Sequence, residues 1–257
     1  MQRLKVRVMT TGTRLEQTPW VDGRVPDGFW GLIRNRRRYM RWLGALKNFR
    51  RNEDWYRIRK RDFHENGGGG LLANYYNDSP YAALLEYKPH YDWKPWLFGS
   101  TPQGYWQKPE NRRAFMDWLG KRLGFQKTSD WYGVTKRAFY QNGGGGLLAN
   151  HYGDSPFAAV KEYRPRYPWK EWLFRSVPQG YWQAPENRRA YLAWLGKELG
   201  WKTAEDWSQL SRKHFLKHGG GGLLTTHYQS SPLRALKEAG LARRRSSGKV
   251  RRGSTTR

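Results

Sequence analysis

The chain has 257 residues, with 48 Lys plus Arg against 21 Asp plus Glu and a formal net charge of +27. A field of that size attracts polyanions and says little about fold. Cysteine is absent, which excludes disulfides, thiolate chemistry and Cys-based metal sites. No apolar run approaches the ~18 residues that span a bilayer, and no basic amphipathic helix stands beside an apolar face large enough to anchor it, so no membrane partner is expected. Aromatic residues make up 16% of the chain, including 15 Trp and 16 Tyr. Rings in such number can build real cores, so the chain is not a disordered basic tail.

In chain order, the stretch Met1 to Leu15 carries Arg3, Lys5, Arg7 and Arg14 with no acid before Glu16. That composition is compatible with a mitochondrial or plastid address. Residues 1–25 are assigned to a basic N-terminal extension. The rest is dominated by an internal repeat of 76 residues without insertion. Asn66-Gly67-Gly68-Gly69-Gly70-Leu71-Leu72-Ala73-Asn74 recurs as Asn142 through Asn150, and a third version runs from His218 to Thr226. Trp42, Trp118 and Trp194 correspond, as do Trp55, Trp131 and Trp207, and Ser79, Ser155 and Ser231. The pattern predicts an all-α protein of three tandem small helical modules: 26–101, 102–177 and 178–240, the last without a connector. A basic tail, 241–257, follows.

Within the second copy, Pro109-Glu110-Asn111 opens a helix whose apolar residues Phe115, Trp118, Leu119 and Leu123 fall at helical spacing. Gly124 is a stop signal. Thr128 or Ser129 with Asp130 reads as an N-terminal cap before Trp131, and Thr135 as the cap of a helix carrying Ala138 and Phe139. After the four glycines, Leu147 to Tyr152 is predicted as a short helix. Ser155-Pro156 starts the last one, which ends before Pro165. Trp93, Trp96 and Phe98, and then Trp169, Trp172 and Phe174, mark connectors. Because the third copy lacks one, the connector rings are expected to pack on the following module.

The Trp-Leu-Gly helix, the Asp-Trp-Tyr step, the Gly-rich run with Leu-Leu, the Tyr-Tyr or His-Tyr step and the Ser-Pro start together resemble an uncharacterised tandem-repeat module family of fungal and protist proteins. The resemblance covers roughly residues 26 to 240. It implies the module boundaries and carries no activity with it.

Four glycines ahead of a helix could present backbone N–H groups to a phosphate, which singles out Gly68, Gly69, Gly144, Gly145, Gly220 and Gly221. The same glycines could instead make a tight turn that lets two helices approach closely. A nucleotide-binding P-loop is not expected, because Leu147 and Leu148 stand where Lys and Ser or Thr would be needed. Arg36, Arg37 and Arg38, then Arg112 and Arg113, then Arg188 and Arg189, open the first helix of each copy. Positive charge there opposes the helix dipole, so an external anion is the expected partner. Arg113, Asp117 and Lys121 could pair along one face, whereas Arg37, Arg41 and Ala45 cannot. Lys121 and Arg122 join the basic set.

Most rings are expected in the core; Tyr75, Tyr76, His151 and Tyr152 are the best candidates to stack on unpaired bases. Asp54, Asp130 and Asp206 read as caps, as do Asp78 and Asp154, and the six His are scattered. No catalytic grouping, cofactor, metal or small-molecule substrate is expected. The tail, with Arg243, Arg244, Arg245, Lys249, Arg251 and Arg252, has no acid and is expected to order against a nucleic-acid backbone. Residues 26 to 238 hold 36 basic and 19 acidic side chains, so the charge is not confined to the ends. The composite expectation is a nucleic-acid-binding repeat protein without enzymatic activity. RNA, rRNA in particular, is the favoured partner, within a ribonucleoprotein such as an organellar ribosome and beside neighbouring proteins. A DNA-binding repeat protein, with a nuclear location, and a protein scaffold are the alternatives.

Overall fold

The computed structural model describes residues 18–241. Every regular element among them is an α-helix or a 3₁₀-helix, with no strand, so the protein is all-α. Elements recur at the spacing of the sequence repeat. The long helices are Ile33–Leu46, Pro109–Arg122 and Pro185–Glu198; the helices after the glycines are Gly69–Tyr76, Gly145–Tyr152 and Gly221–Thr226; the Ser-Pro helices are Pro80–Tyr87, Pro156–Tyr163 and Pro232–Glu238. The chain divides into two compact units. One runs to Leu119 and takes in Phe139–Leu147; the other comprises Gly120–Ala138 and everything from Leu148 onward. The division falls inside the second sequence copy, so the compact units and the repeats have different boundaries.

In the first unit, the long helix Ile33–Leu46 buries Tyr39, Met40 and Leu43, three positions on one helical face. Gly44 of its Trp-Leu-Gly step lies under Trp55: a Cβ there would sit 2.5 Å from the indole ring. The Trp-Leu-Gly and Asp-Trp-Tyr motifs are therefore two halves of one contact. Gly120 with Trp131, and Gly196 with Trp207, repeat it in the second unit at 2.8 and 2.4 Å. Asp54 does not stand at the N-cap. Sitting at the third position of its turn, it reaches back to accept the amides of Arg50 and Arg51, both at 2.9 Å. Asp130 and Asp206 do the same to Gln126 and Lys127, and to Lys202 and Thr203. Thr135 and Ser155 cap as expected, accepting from Ala138 and Ala158.

The glycine run is a packing device. Gly67, at φ +74°, lies so close to the Trp20 carbonyl that a Cβ would be 2.0 Å from its oxygen; Gly143 meets the Trp96 carbonyl and Gly219 the Trp172 carbonyl in the same way. The next glycine lies on an aromatic ring of the long helix: Gly68 on Tyr39, Gly144 on Phe115 and Gly220 on Tyr191, each with room for no side chain. Trp20 is only 2% exposed and belongs to the first core, although it lies ahead of residue 26.

The connector rings divide their packing, contrary to the expectation that all go forward. Trp93 and Phe98 close on Tyr56 of the copy they leave, at 5.3 and 4.9 Å between centroids. Trp96 points onward to Phe115 and Trp118, both at 5.5 Å. In the second unit Trp169 and Phe174 close on Tyr132, while Trp172 meets Tyr191 and Trp194. The third copy has Ser208 where Tyr56 and Tyr132 stand, and Leu233, 55% exposed, where Tyr81 and Phe157 stand. Having no ring to receive a connector, it needs none.

Asp78 and Asp154 are not caps. They occupy the left-handed turn after the glycine helix, at φ +59° and +62°, as Ser230 does at +60°. Short polar side chains tolerate that conformation. Their amides close onto the Leu72, Leu148 and Leu224 carbonyls, and the two carboxylates pair with Lys60 and Lys136 at 2.6 Å.

Candidate nucleic-acid interface

Each long helix is preceded by a Pro-x-Gly-aromatic-Trp turn. Gly28, Gly104 and Gly180 take φ near +75°, +70° and +78°, and a single 3₁₀ turn follows. That turn ends with carbonyls that have no partner of their own. The Asn-Arg pair of the next helix supplies one. Asn35, Asn111 and Asn187 donate to Phe29, Tyr105 and Tyr181 at 2.7–2.8 Å. Arg36 Nη1 donates to the Trp30 and Gly31 carbonyls, Arg112 Nη1 to Trp106 and Gln107, and Arg188 Nη1 to Trp182 and Gln183, all within 3.1 Å. On its other edge Arg36 makes a two-pronged pair with Glu86 at 2.9 and 3.0 Å, and Arg188 pairs with Glu238 at 2.6 Å.

These contacts overturn the expectation that Arg36, Arg112 and Arg188 await an external anion. Arg112 and Arg188 are only 9% and 8% exposed, and Arg36 is half-buried. The positive charge sits at a helix start because the oxygen-rich end of the preceding turn is there. Around Glu86, desolvation pushes the carboxyl up, but hydrogen bonds from Arg36 and Tyr76 and the guanidinium charge outweigh it and hold it below its ordinary value. Glu238 is lowered by the same balance, with Arg188 and His227 as its partners. The locking acids are fifty residues from their arginines. Their trace in the sequence is the recurrence of Glu86 as Glu238 in register with Arg36 and Arg188.

What remains for an outside partner is the neighbouring position. Arg37, Arg113 and Arg189 are exposed, as are Lys121 and Arg122. Arg38 is half-buried with its guanidinium 5.6 Å from the centre of the Trp20 ring. The phosphate reading of the glycines is corrected in part. The amides of Gly68, Gly144 and Gly220 donate at 2.8 Å to the Phe63, Phe139 and Phe215 carbonyls, so they cannot cradle an anion. Gly69, Gly145 and Gly221 are the first residues of their helices and are half-buried.

Among the proposed stacking rings, Tyr76 drops out: it is 7% exposed and its hydroxyl donates to Glu86 at 2.8 Å. Tyr152 is half-buried with the His151 ring edge-on to it. Tyr75 is 44% exposed, with the Arg36 guanidinium 5.1 Å from its ring centre. His151 is exposed and stands 3.7 Å from Glu162. In the second unit a concavity of about 370 Å³ opens between Phe174–Gln183 and Gly219–Thr226, with Arg175, Tyr181 and Trp182 among its walls. Among the described residues no group of three or more His, Asp and Glu could hold a metal ion, and no helix is long and apolar enough to cross a membrane. Arg243, Arg244, Arg245, Lys249, Arg251 and Arg252 lie outside the described residues, as do residues 1–17. Set against family models, curated proteins and solved structures, the chain finds no match in any of the three.

Proposed function

We propose that this chain is a non-enzymatic RNA-binding protein, a structural component of a ribonucleoprotein such as an organellar ribosome. The observation that carries the reading is the pairing of a locked arginine with an exposed one at each long helix. Arg36, Arg112 and Arg188 are consumed by the fold, while Arg37, Arg113 and Arg189 face outward on rigid helices. With a net charge of +27, such side chains present fixed cations to a phosphate backbone. RNA is favoured over DNA because the glycine helices are poor groove readers. Gly69–Tyr76 and Gly145–Tyr152 carry no Lys or Arg, and their leucines are buried.

Titrating binding to a short RNA at increasing salt tests the reading. A log–log slope of roughly −0.7 per phosphate neutralised is expected, summing to several units over the exposed arginines. A flat response removes nucleic acid as the partner. Sequencing the RNA crosslinked to the native complex identifies the assembly, with rRNA as the expected product.

A further inference from the structure

The first copy departs from the other two on its surface, and it departs in one direction. Glu110 and Glu186 stand one residue inside their helices, where an acid suits the dipole; the first copy has Arg34. Asp117 and Ala193 correspond to Arg41. His151 and His227 correspond to Tyr75, and Lys108-Pro109 and Ala184-Pro185 to Leu32-Ile33. Arg34, Arg37 and Arg41 are all exposed and follow the i, i+3, i+7 spacing of one helical face, with no acid among them. Ile33, four residues before Arg37 on the same side of the helix, lies between that stripe and Arg36. Leu32, Ile33 and Tyr75 are 48%, 45% and 44% exposed.

Tyr75 is held as well as exposed. The pair with Glu86 fixes the Arg36 guanidinium over its ring. Its hydroxyl lies against Gly31, where a Cβ would be 3.5 Å away. A cation fixed over one face of an aromatic ring, with two exposed aliphatic side chains following Gly31 in the chain, borders a helix face of three exposed cations, of which Arg37 also acts on the Glu86 carboxylate. Folding gains little from three like charges on one helix face or from exposed aliphatic side chains in water.

We propose that this face of the first copy is the primary docking surface for an unpaired stretch of RNA, with phosphates along Arg34, Arg37 and Arg41 and a base against Tyr75, Leu32 and Ile33. The inference rests on the nucleic-acid reading above and adds to it a location and a strand class. The other copies supply the substitutions for the test, since each target residue already occupies the corresponding position in the same framework. The full-length Arg34→Glu, Arg41→Asp protein should lose at least tenfold in affinity for a single-stranded oligoribonucleotide. Its salt slope should fall by about 1.5, for two phosphate contacts at roughly 0.7 each. Tyr75→His should weaken an oligonucleotide with bases several-fold and leave an abasic phosphodiester of equal length unaffected.

Circular dichroism should show all variants folded; the single Tyr75→His change keeps the test open if the double charge reversal does not fold. Wild-type binding to RNA with neither variant weaker overturns the docking surface and leaves the general reading standing. Failure of the wild-type chain to bind any oligonucleotide overturns both. Equal binding of base-bearing and abasic strands, unchanged by Tyr75→His, or preference for an acidic polypeptide at matched charge, also overturns this proposal.

Discussion

Arg188 and Arg189 are adjacent and equally charged, yet their substitution should have opposite consequences. Arg188→Gln leaves Glu238 with His227 but without its guanidinium, strands two turn carbonyls and should cost about 2–3 kcal/mol, somewhat less than a fully buried pair, because the Glu238 side chain is still 33% exposed. Lys should not rescue it, since one ammonium cannot serve both carbonyls and a carboxylate. Arg189→Gln should change stability by less than ~0.5 kcal/mol and act on RNA affinity alone. Urea melts of the two proteins check this. The glycines give a similar contrast. Gly67→Ala forces a Cβ against a backbone carbonyl at positive φ and should cost at least ~2 kcal/mol, whereas Gly70→Ala, with nothing within 4 Å, should be neutral or slightly stabilising. Asp54, Asp130 and Asp206 are held below their ordinary value of 3.8, chiefly by backbone hydrogen bonds. Their contribution is therefore present above pH ~4 and disappears as pH falls further. The triple Asn variant should show a smaller drop in melting temperature between pH 6 and pH 3 than the wild type; an equal drop would place acid sensitivity elsewhere. Charge alone misdirects at this scale. A sequence shows an arginine at a helix start but not the carbonyls of the preceding turn, nor a glutamate fifty residues away.

At the scale of elements the sequence is far more legible. Ser-Pro starts, the Thr135 cap and the glycine stop at Gly124 depend on residues within four positions of each other, and all stand where local chemistry puts them. The connectors are different, because which of three rings turns back depends on what the neighbouring surface offers. Tyr56 and Tyr132 decide it: each hydroxyl accepts the backbone amide of the connector, Lys94 or Lys170, at 3.0 Å, while the ring receives a Trp and a Phe. The signal was present in the sequence as the change from Tyr to Ser208 in the copy without a connector. Tyr132→Ser should thus release Trp169 and Phe174 and cost roughly 2–3 kcal/mol, less than loss of a fully buried ring because Tyr132 is half-buried. The amide of Lys170 should lose protection in hydrogen exchange, and the buried residues around Tyr191, Phe215 and Leu224 should keep theirs. Trp172→Ala should do the reverse, opening the core around Tyr191 and Trp194.

For the whole molecule the question is which of its cations do the binding. The tail holds seven of the 48 basic residues and, between 242 and 257, only Ala242 and Val250 as apolar side chains. Deleting 242–257 should therefore leave the helical signal and melting temperature unchanged while lowering RNA affinity and shrinking the salt slope. Replacing Arg37, Arg113 and Arg189 together by Gln removes three cations from exposed helix positions, of which Arg37 also acts through space on Glu86. That protein should also stay folded, and its slope should fall by about 2, since each lost phosphate contact contributes roughly 0.7 for a single strand. Combining the tail deletion with the triple substitution should reduce affinity by the product of the separate effects if tail and helices hold different stretches of RNA. A smaller combined loss would mean that they compete for the same phosphates. If the tail deletion alone abolishes binding and the triple variant binds as the wild type does, the helical framework is a spacer or a protein-docking array, and its charge serves solubility. In that outcome the structural RNA-binding reading of the repeats fails, and the protein scaffold takes its place.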